Sequence, residues 1–413
     1  MDKTILKLNE EVAFVSGAKG GAIYDFNSKM VYLISSGAQE LLGNIANGQK
    51  DTFDEAEKKF LNELEKASLI SSEKSFSTYE FPLQTPPRLS HVWLELAERC
   101  NEKCIHCYVE AVGQARAVDT LAKEKWKTLL AELSSTGCKS VQFIGGEPLL
   151  FDGVYELLEY AKILDFESIA LFTNAVLLNE ERVQFLKKNG IHVSVSLYGH
   201  NAEIHDAITQ IQGSFDKTVE NLKILKHYGV PVSISVIIMQ QNQDYVTEIK
   251  SFIKSMGFKY NGYDVIRPLI GGPQQAHIPT SRRIINSCFI KKAGFRADKK
   301  FFENALSNNT CWSGKFAITS SGKVIPCIFS RNLLIGDVNE QSIADILNSD
   351  ELSKYWKLTK ESVKECSDCE YRFCCKDCRP LGMSVKGDLF GKSNRCAYDP
   401  NSGKWKRGGY KKE

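Results

Sequence analysis

Three cysteines, Cys100, Cys104 and Cys107, share one short loop in "ERCNEKCIHCYVE", and no fourth cysteine stands near them. Structural zinc takes four protein ligands, with its cysteines in closely spaced pairs, so this triad would need a distant fourth ligand. Three thiolates suit three irons of a 4Fe-4S cluster instead, leaving the fourth iron open to a chelating cosubstrate. That is a catalytic arrangement. The chain holds 13 cysteines in all; none precedes Cys100, and of the ten after Cys107 eight lie beyond residue 310. The opening "MDKTILKLNEEVAF" lacks the basic segment, long apolar core and small-residue cleavage site of a secretory signal, so the chain is expected in the cytoplasm. In that reducing compartment, clustered cysteines point to metal binding or catalysis rather than to disulfides.

The elements that must position these cysteines fall into three regions. A length of 413 residues suggests two or three domains, and 43% hydrophobic with 25% charged residues describes a globular protein. No apolar run approaches the roughly 20 residues of a membrane span. A net charge of +3 gives no ground for a nucleic-acid or membrane partner, and the basic end "KWKRGGYKKE" reads as a solvated tail. Residues 1–85 read as a small α+β domain followed by a Ser- and Pro-rich linker. Its β-prone runs are "EVAFVSG", "GAIYDF" and "MVYLIS", the last two joined by a turn at Asn27 and Ser28, with a further short strand within 77–81. Two helices follow the runs, the second carrying Phe53, Ala56, Phe60, Leu61 and Leu64 at helical spacing.

Residues 86–300 alternate strand and helix, with strands at "VWLEL", "SVQFI", "SIALFT", "VSVSL", "VSISVII" and "YDVI". Six β/α repeats imply a parallel sheet, open or rolled into a partial barrel. The cysteine loop follows the first strand and Gly145, Gly146, Glu147 and Pro148 follow the second. Asn174, Ser196, Asn242 and Arg267 lie at the ends of the next four, at the carboxyl edge where such sheets bind ligands. For Asn174, Ser196 and Arg267 a capping or turn role competes with ligand contact. Cys138 precedes the second strand, at the opposite edge, and reads as a buried, inert thiol. Residues 301–413 are rich in cysteine and weak in periodicity, as expected where metal clusters staple the chain.

The Cys-x3-Cys-x2-Cys loop after the first strand, with "GGEP" after the second, resembles the radical S-adenosylmethionine (SAM) superfamily. The resemblance covers about residues 88–300. It implies a partial (β/α)6 TIM barrel in which Cys100, Cys104 and Cys107 hold a 4Fe-4S cluster and SAM chelates the open iron. Reductive cleavage of SAM then yields a 5′-deoxyadenosyl radical that abstracts hydrogen. It further implies that Gly145, Gly146 and Glu147 meet the methionine amino group, with Pro148 beside them in the cofactor-binding set, that Asn174 and Ser196 meet the ribose or nearby polar atoms, and that the backbone near Ile238 and the ring of Tyr108 meet the adenine. Arg267 is a further candidate contact.

The late cysteines run Cys311, ten residues, Gly322, four residues, Cys327, then Cys366, Cys369, Cys374, Cys375, Cys378 and Cys396. This order resembles the SPASM domain of peptide-modifying radical SAM enzymes and implies two auxiliary 4Fe-4S clusters, three clusters in all. By that pattern Cys311, Cys327 and Cys378 serve the first, with Cys288 a candidate fourth ligand. Cys366, Cys369, Cys375 and Cys396 serve the second. The spacing departs from the pattern by one residue, so Cys374 competes with Cys375, and Cys375 is preferred. A zinc ribbon is the alternative.

The front region resembles, by pattern alone, the winged-helix-like domain that binds leader peptides in ribosomal peptide maturation. A DNA-binding winged helix is disfavoured, because the second helix mixes acids with lysines and offers no basic face. The expected function is therefore modification of a ribosomally made precursor peptide, with electrons from a donor such as flavodoxin or ferredoxin. A cysteine thioether leads among the products, and a carbon–carbon or cyclophane crosslink follows. Formylglycine-type sulfatase maturation and a metal-sensing DNA-binding protein are the alternatives. No residue is identifiable as a substrate base.

Overall fold

The computed structural model describes residues 5–71, 76–80, 87–109, 121–268, 272–384 and 387–405. Contacts group them into two compact units. One comprises the chain up to Pro87, Phe289–Ser313 and the chain from Trp356; the other comprises Arg88–Cys288 and Gly314–Tyr355.

The first unit is built on an antiparallel sheet of β1 (Ile5–Asn9), β2 (Val12–Ser16), β3 (Gly21–Asp25), β4 (Met30–Ile34) and β5 (Ser77–Thr78), in the order β4-β3-β2-β1-β5. Strand β1 is additional to the strands expected from sequence, and of the run expected within 77–81 only β5 is a strand among the described residues. Helices α1 (Ser36–Ala46) and α2 (Glu55–Lys66) follow β4; Ser35 caps the first, and a capping box between Asp54 and Glu57 starts the second. Successive strand residues point to opposite faces. Leu6, Leu8, Val12, Phe14 and Ile23 pack on Leu41, Leu42, Leu61 and Leu64 of the helices. On the other face Ile5, Ala13, Val15, Tyr24 and Phe26 join Phe302, Tyr371, Phe373, Cys374 and Tyr398 in one core. Phe302 sits at its centre, with the rings of Tyr24, Phe26, Tyr79 and Phe373 at 5.1, 5.2, 5.4 and 5.4 Å.

The second unit alternates strand and helix: β6 (His91–Glu95), α3 (Lys123–Ser135), β7 (Ser140–Ile144), α4 (Val154–Ile163), β8 (Ser168–Thr173), α5 (Glu180–Lys188), β9 (His192–Ser196), α6 (Ala202–Thr209), α7 (Ser214–His227), β10 (Val232–Ser235), β11 (Ile237–Ile238), α8 (Val246–Ser255) and β12 (Asp264–Val265). Strands β6 to β10 pair in parallel in chain order. Val236 interrupts the fifth strand, and its continuation β11 pairs in parallel with β12. On the other side of β6 lies a strand that weak periodicity concealed: β13 (Lys315–Ile318), parallel to β6, followed by antiparallel β14 (Lys323–Ile325) and β15 (Gly336–Asp337). The sheet thus draws on residues beyond 300. Helix α3 buries Trp126, Leu129, Leu130 and Leu133, as its amphipathic pattern requires.

At the end of β6, Glu95 is 1% exposed and accepts from Arg331 Nη1 at 2.9 Å on both carboxylate oxygens. Burial pushes the Glu95 carboxyl up, and the Arg331 guanidinium offsets part of that. Arg331→Met would leave a buried carboxylate without its cation, at a cost of about 3–5 kcal/mol. Urea unfolding of this variant should shift to lower midpoint, and the double variant Glu95→Gln/Arg331→Met should recover most of the shift.

Candidate active site and cluster-binding cysteines

The cysteine loop leaves β6 and is pinned by backbone. Lys103 N and Ile105 N donate to Thr209 O and Ile208 O at the end of α6, and Gln274 Nε2 donates to Cys107 O at 2.7 Å. Gly146 N donates to Ala97 O at 2.7 Å and Glu147 N to Arg99 O at 3.0 Å. The approach is so close that a Cβ on Gly145 would stand 2.4 Å from Ala97 O, and one on Gly146 2.4 Å from Glu98 O. Glycine at both positions is therefore a packing requirement of the loop.

Glu147 is fully buried and its carboxylate is used up locally. Oε1 accepts from Leu149 N and Thr173 Oγ1, and Oε2 accepts from Asn174 N. Burial pushes it up to about 7 against these three donors. Pro148 opens the short turn that Glu147 caps. Asn174 takes the turn role, Oδ1 accepting from Val176 N, and its Nδ2 braces the cysteine loop, donating to Asn101 Oδ1 at 2.9 Å and approaching Cys100 Sγ at 3.9 Å. Asn242 is a turn brace, donating to Tyr198 O and Ile237 O.

Beside the loop, a cavity of about 470 Å³ opens among the strands, a volume suited to a small organic ligand. Gln142 and Ile144, alternate residues of β7, line it as the pleat dictates, and the end of β10 and the start of β11 contribute the continuous run Ile234 to Ile237. Of the residues expected at SAM, Tyr108, Ser196 and Arg267 line this cavity. Ile238 is buried, and its neighbour Ile237 supplies the lining. Gly145, Gly146, Glu147, Pro148 and Asn174 are not among the lining residues and belong to the support of the cysteine loop. Residues that the sequence did not signal also line it: His106, Tyr198, Asp264 and Phe329. Tyr108 packs on Phe329 at 5.3 Å, Arg267 stacks over the same ring at 5.0 Å, and Asp264 pairs with Arg267. Glu102, inside the cysteine loop, is buried and pushed up to about 8 by that burial.

All thirteen cysteines lie among the described residues and none is in a disulfide. Burial pushes the Cys100 thiol up to about 12 and Cys104 well above the ordinary range, so as bare thiols they stay protonated and need a cation to become ligands. Among the described residues no three His, Cys, Asp or Glu side chains converge on one ion position; thiolates on separate irons of a cluster do not require that. Cys138 is 3% exposed and lies before β7.

In the other unit, Cys366, Cys369, Cys375 and Cys396 line a single small cavity together with Lys360, Arg372 and Tyr398. Cys374 is not among its lining residues: it is buried in the aromatic core and donates to Tyr371 O at 3.3 Å. Cys311 and Cys378 belong to this unit, and their segments are tied together through residues that the sequence did not single out. Asn309 Oδ1 accepts from Cys311 N, Asn309 Nδ2 donates to Asp377 Oδ2, and Asp377 N donates to Thr310 Oγ1. Despite its burial, Asp377 is held below the ordinary carboxylate range by Lys360 and Arg379. Cys327 is buried just after β14, and Cys288 ends a short helix, Arg282–Cys288.

The comparisons with known proteins decide the family. Residues 94–253 match the radical SAM superfamily, and residues 311–370 match SPASM, an iron-sulfur cluster-binding domain. The chain is a radical SAM/SPASM enzyme. It binds SAM and iron-sulfur clusters, and the three-cysteine loop and the cysteine-lined cavity suit the clusters by donor type. The enzyme is 25% identical to the antilisterial bacteriocin subtilosin biosynthesis protein AlbA of Bacillus subtilis, over 78% of this chain and 72% of that one. It is 26% identical to the AdoMet-dependent heme synthase of Methanosarcina barkeri, over 76% of this chain and 97% of the synthase. Its fold is similar to that of Streptococcus suis SuiB bound to precursor peptide SuiA, with a TM-score of 0.57 at 16% identity over 95% of this chain and 99% of SuiB. Among the described residues no helix is long and apolar enough to cross a membrane.

Metal analysis of single variants checks the ligand assignment. Cys104→Ala and Cys375→Ala should each lower the iron content of the reconstituted enzyme by about four per chain, whereas Cys374→Ala and Cys138→Ala should leave it unchanged. Gly146→Ala should lose the iron of the three-cysteine site alone, because its methyl group displaces the Glu98 carbonyl.

Proposed function

We propose that this enzyme modifies a ribosomally synthesised precursor peptide in the cytoplasm, closing an intramolecular crosslink with loss of two hydrogens. The observation that carries this reading is the front sheet. The fold likeness to SuiB bound to precursor peptide SuiA extends over 95% of this chain, the front sheet included. Strand β4 is an edge of the front sheet and exposes Met30, Tyr32 and Leu33 at 46, 40 and 42%. An extended leader peptide adds to such an edge through main-chain hydrogen bonds, with its side chains on the exposed apolar groups. Residues 1–85 then act as a winged-helix-like leader-binding domain, 86–300 as a partial (β/α)6 barrel and 301–413 as the auxiliary-cluster region.

One 4Fe-4S cluster is read on Cys100, Cys104 and Cys107 and another on Cys366, Cys369, Cys375 and Cys396, while the assignment of Cys311, Cys327 and Cys378 to the remaining cluster rests on the order of the cysteines in the sequence alone. SAM, when bound at the first and reduced by one electron from a flavodoxin- or ferredoxin-like donor, supplies a carbon radical that abstracts hydrogen. The chain's own residues orient it. Because the Glu147 carboxylate is occupied by three donors, the Gly145–Glu147 segment has its main-chain carbonyls to offer an ammonium group. Tyr108, Ser196 and Arg267 border the cavity where the nucleoside part fits, and its mostly apolar walls exclude water from a radical. A cysteine thioether is the product favoured here; it consumes a thiol, whereas carbon–carbon closure leaves every thiol free for alkylation.

Deletion of residues 1–85 would be a poor test, since it would strip the aromatic core around Phe302. Point variants on β4 leave that core intact. Tyr32→Asp and Leu33→Asp should weaken binding of a leader peptide encoded beside this gene by about tenfold each, read by fluorescence anisotropy, with SAM cleavage by the reduced enzyme unaffected. Anaerobic incubation of the full peptide with enzyme, SAM and reductant should show loss of two hydrogens per crosslink by mass spectrometry. An unchanged peptide, with SAM consumed, would overturn the peptide reading.

A further inference from the structure

The small cavity bordered by Cys366, Cys369, Cys375 and Cys396 has two charged lining residues, and both are cations. Lys360 is 7% exposed and Arg372 1%. Burying cations is costly unless an anion faces them, and no carboxylate lines the cavity with them. Lys360 Nζ lies 3.3 Å from Asp377 Oδ1, yet Asp377 is already held by Arg379, through Nε at 2.5 Å and Nη2 at 2.6 Å. One carboxylate therefore serves two cations. The carboxylate paired with Arg372 is that of Glu361, 3.6 Å from Nε and 37% exposed. Arg372 Nη1 donates to Ser16 O and Cys369 O, while Nη2 has no hydrogen-bond partner among the described residues. Lys360 and Arg372 thus face four thiols with no carboxylate among the residues lining the cavity, Glu370 and Asp368 acting on Arg372 from outside it, and a buried guanidinium N–H is left over.

We propose that Lys360 and Arg372 are positioning residues that set the reduction potential of the cluster held in this cavity. The proposal rests on the reading that these four cysteines hold a 4Fe-4S cluster. A cluster on four thiolates carries a net negative charge that grows by one on reduction. Two fixed positive charges at low dielectric favour the reduced form over the oxidised one and so raise the potential. They tune this centre to accept an electron, such as the one surrendered when a substrate radical closes a bond. The negative charge of the cluster also explains why a lysine and an arginine are buried where an apolar residue would fill the space more cheaply.

Lys360→Met is the variant of choice, because Asp377 keeps Arg379 and Asn309 as partners and the local fold retains its ties. The full-length, reconstituted enzyme is titrated anaerobically under EPR, and the signal missing from Cys366→Ala is assigned to this centre. Lys360→Met should lower its midpoint by about 59 mV or more, a tenfold change in the ratio of reduced to oxidised cluster. Lys360→Arg should restore it, with iron content equal in all three proteins. Arg372→Gln should shift the midpoint in the same direction. An unchanged midpoint in Lys360→Met with full iron would overturn the proposal, as would a shift that Lys360→Arg does not restore. If Cys366→Ala loses neither iron nor a signal, the cluster assignment itself fails, an outcome distinct from a correctly assigned centre that ignores Lys360.

Discussion

The catalytic half of this enzyme depends on one steric constraint: the backbone of Gly145 and Gly146 lies against the carbonyls of Ala97, Glu98 and Arg99. The loop that carries Cys100, Cys104 and Cys107 has few apolar side chains with which to anchor itself. It is fixed instead by main-chain hydrogen bonds from the neighbouring strand end and from the end of α6. Glu147 then locks that strand end to the next through Thr173 and Asn174, and Asn174 returns to the loop at Asn101. A closed circuit of backbone and buried polar groups thus holds the three-cysteine loop, whose His106 and the adjoining Tyr108 line the cavity. Satisfied buried networks of this kind specify a single geometry, which radical chemistry demands of its ligands.

The other half is organised around Phe302. One face of the front sheet carries its helices, and the other has no independent surface, because it forms a core with the segment that bears Cys369, Cys374 and Cys375. Tyr24 O–H donates to Glu370 O and Arg372 Nη1 to Ser16 O, so the strands and the cysteine segment share hydrogen bonds as well as apolar contacts. The front sheet and the cysteine segment are therefore not separable modules in the mechanical sense. A substitution that loosens the sheet is felt at Cys369 and Cys375.

Much of this was legible in the sequence, and the limits follow from physics. Cysteine spacing is a local signal, so the three-cysteine loop and the late cysteine series could be read directly, as could the strands β6 to β12 from their alternation with amphipathic helices. Strand β1 is short and lies in a mixed run, "ILKLN", that resembles a loop until β2 pairs with it. Strand β13 has only four residues and pairs with β6, more than two hundred positions away. The motif residues Glu147 and Asn174 were visible as a pattern, but their part in bracing the loop needs partners from three strand ends. Lys360, Asn309 and Asp377 have no spacing signature at all, because their meaning comes from the cysteines they surround in space.

The discontinuity of the Phe302 core has a consequence for biosynthesis. Tyr24, Phe26 and Tyr79 leave the ribosome about 220 to 280 residues ahead of Phe302, and further still ahead of Phe373 and Tyr398. At ordinary elongation rates that interval is on the order of ten to sixty seconds. Throughout it the finished front sheet presents an uncovered aromatic face to the cell. The nascent chain thus carries a built-in need for chaperone cover, and slow translation between residues 80 and 300 would lengthen the exposure before iron is inserted at all.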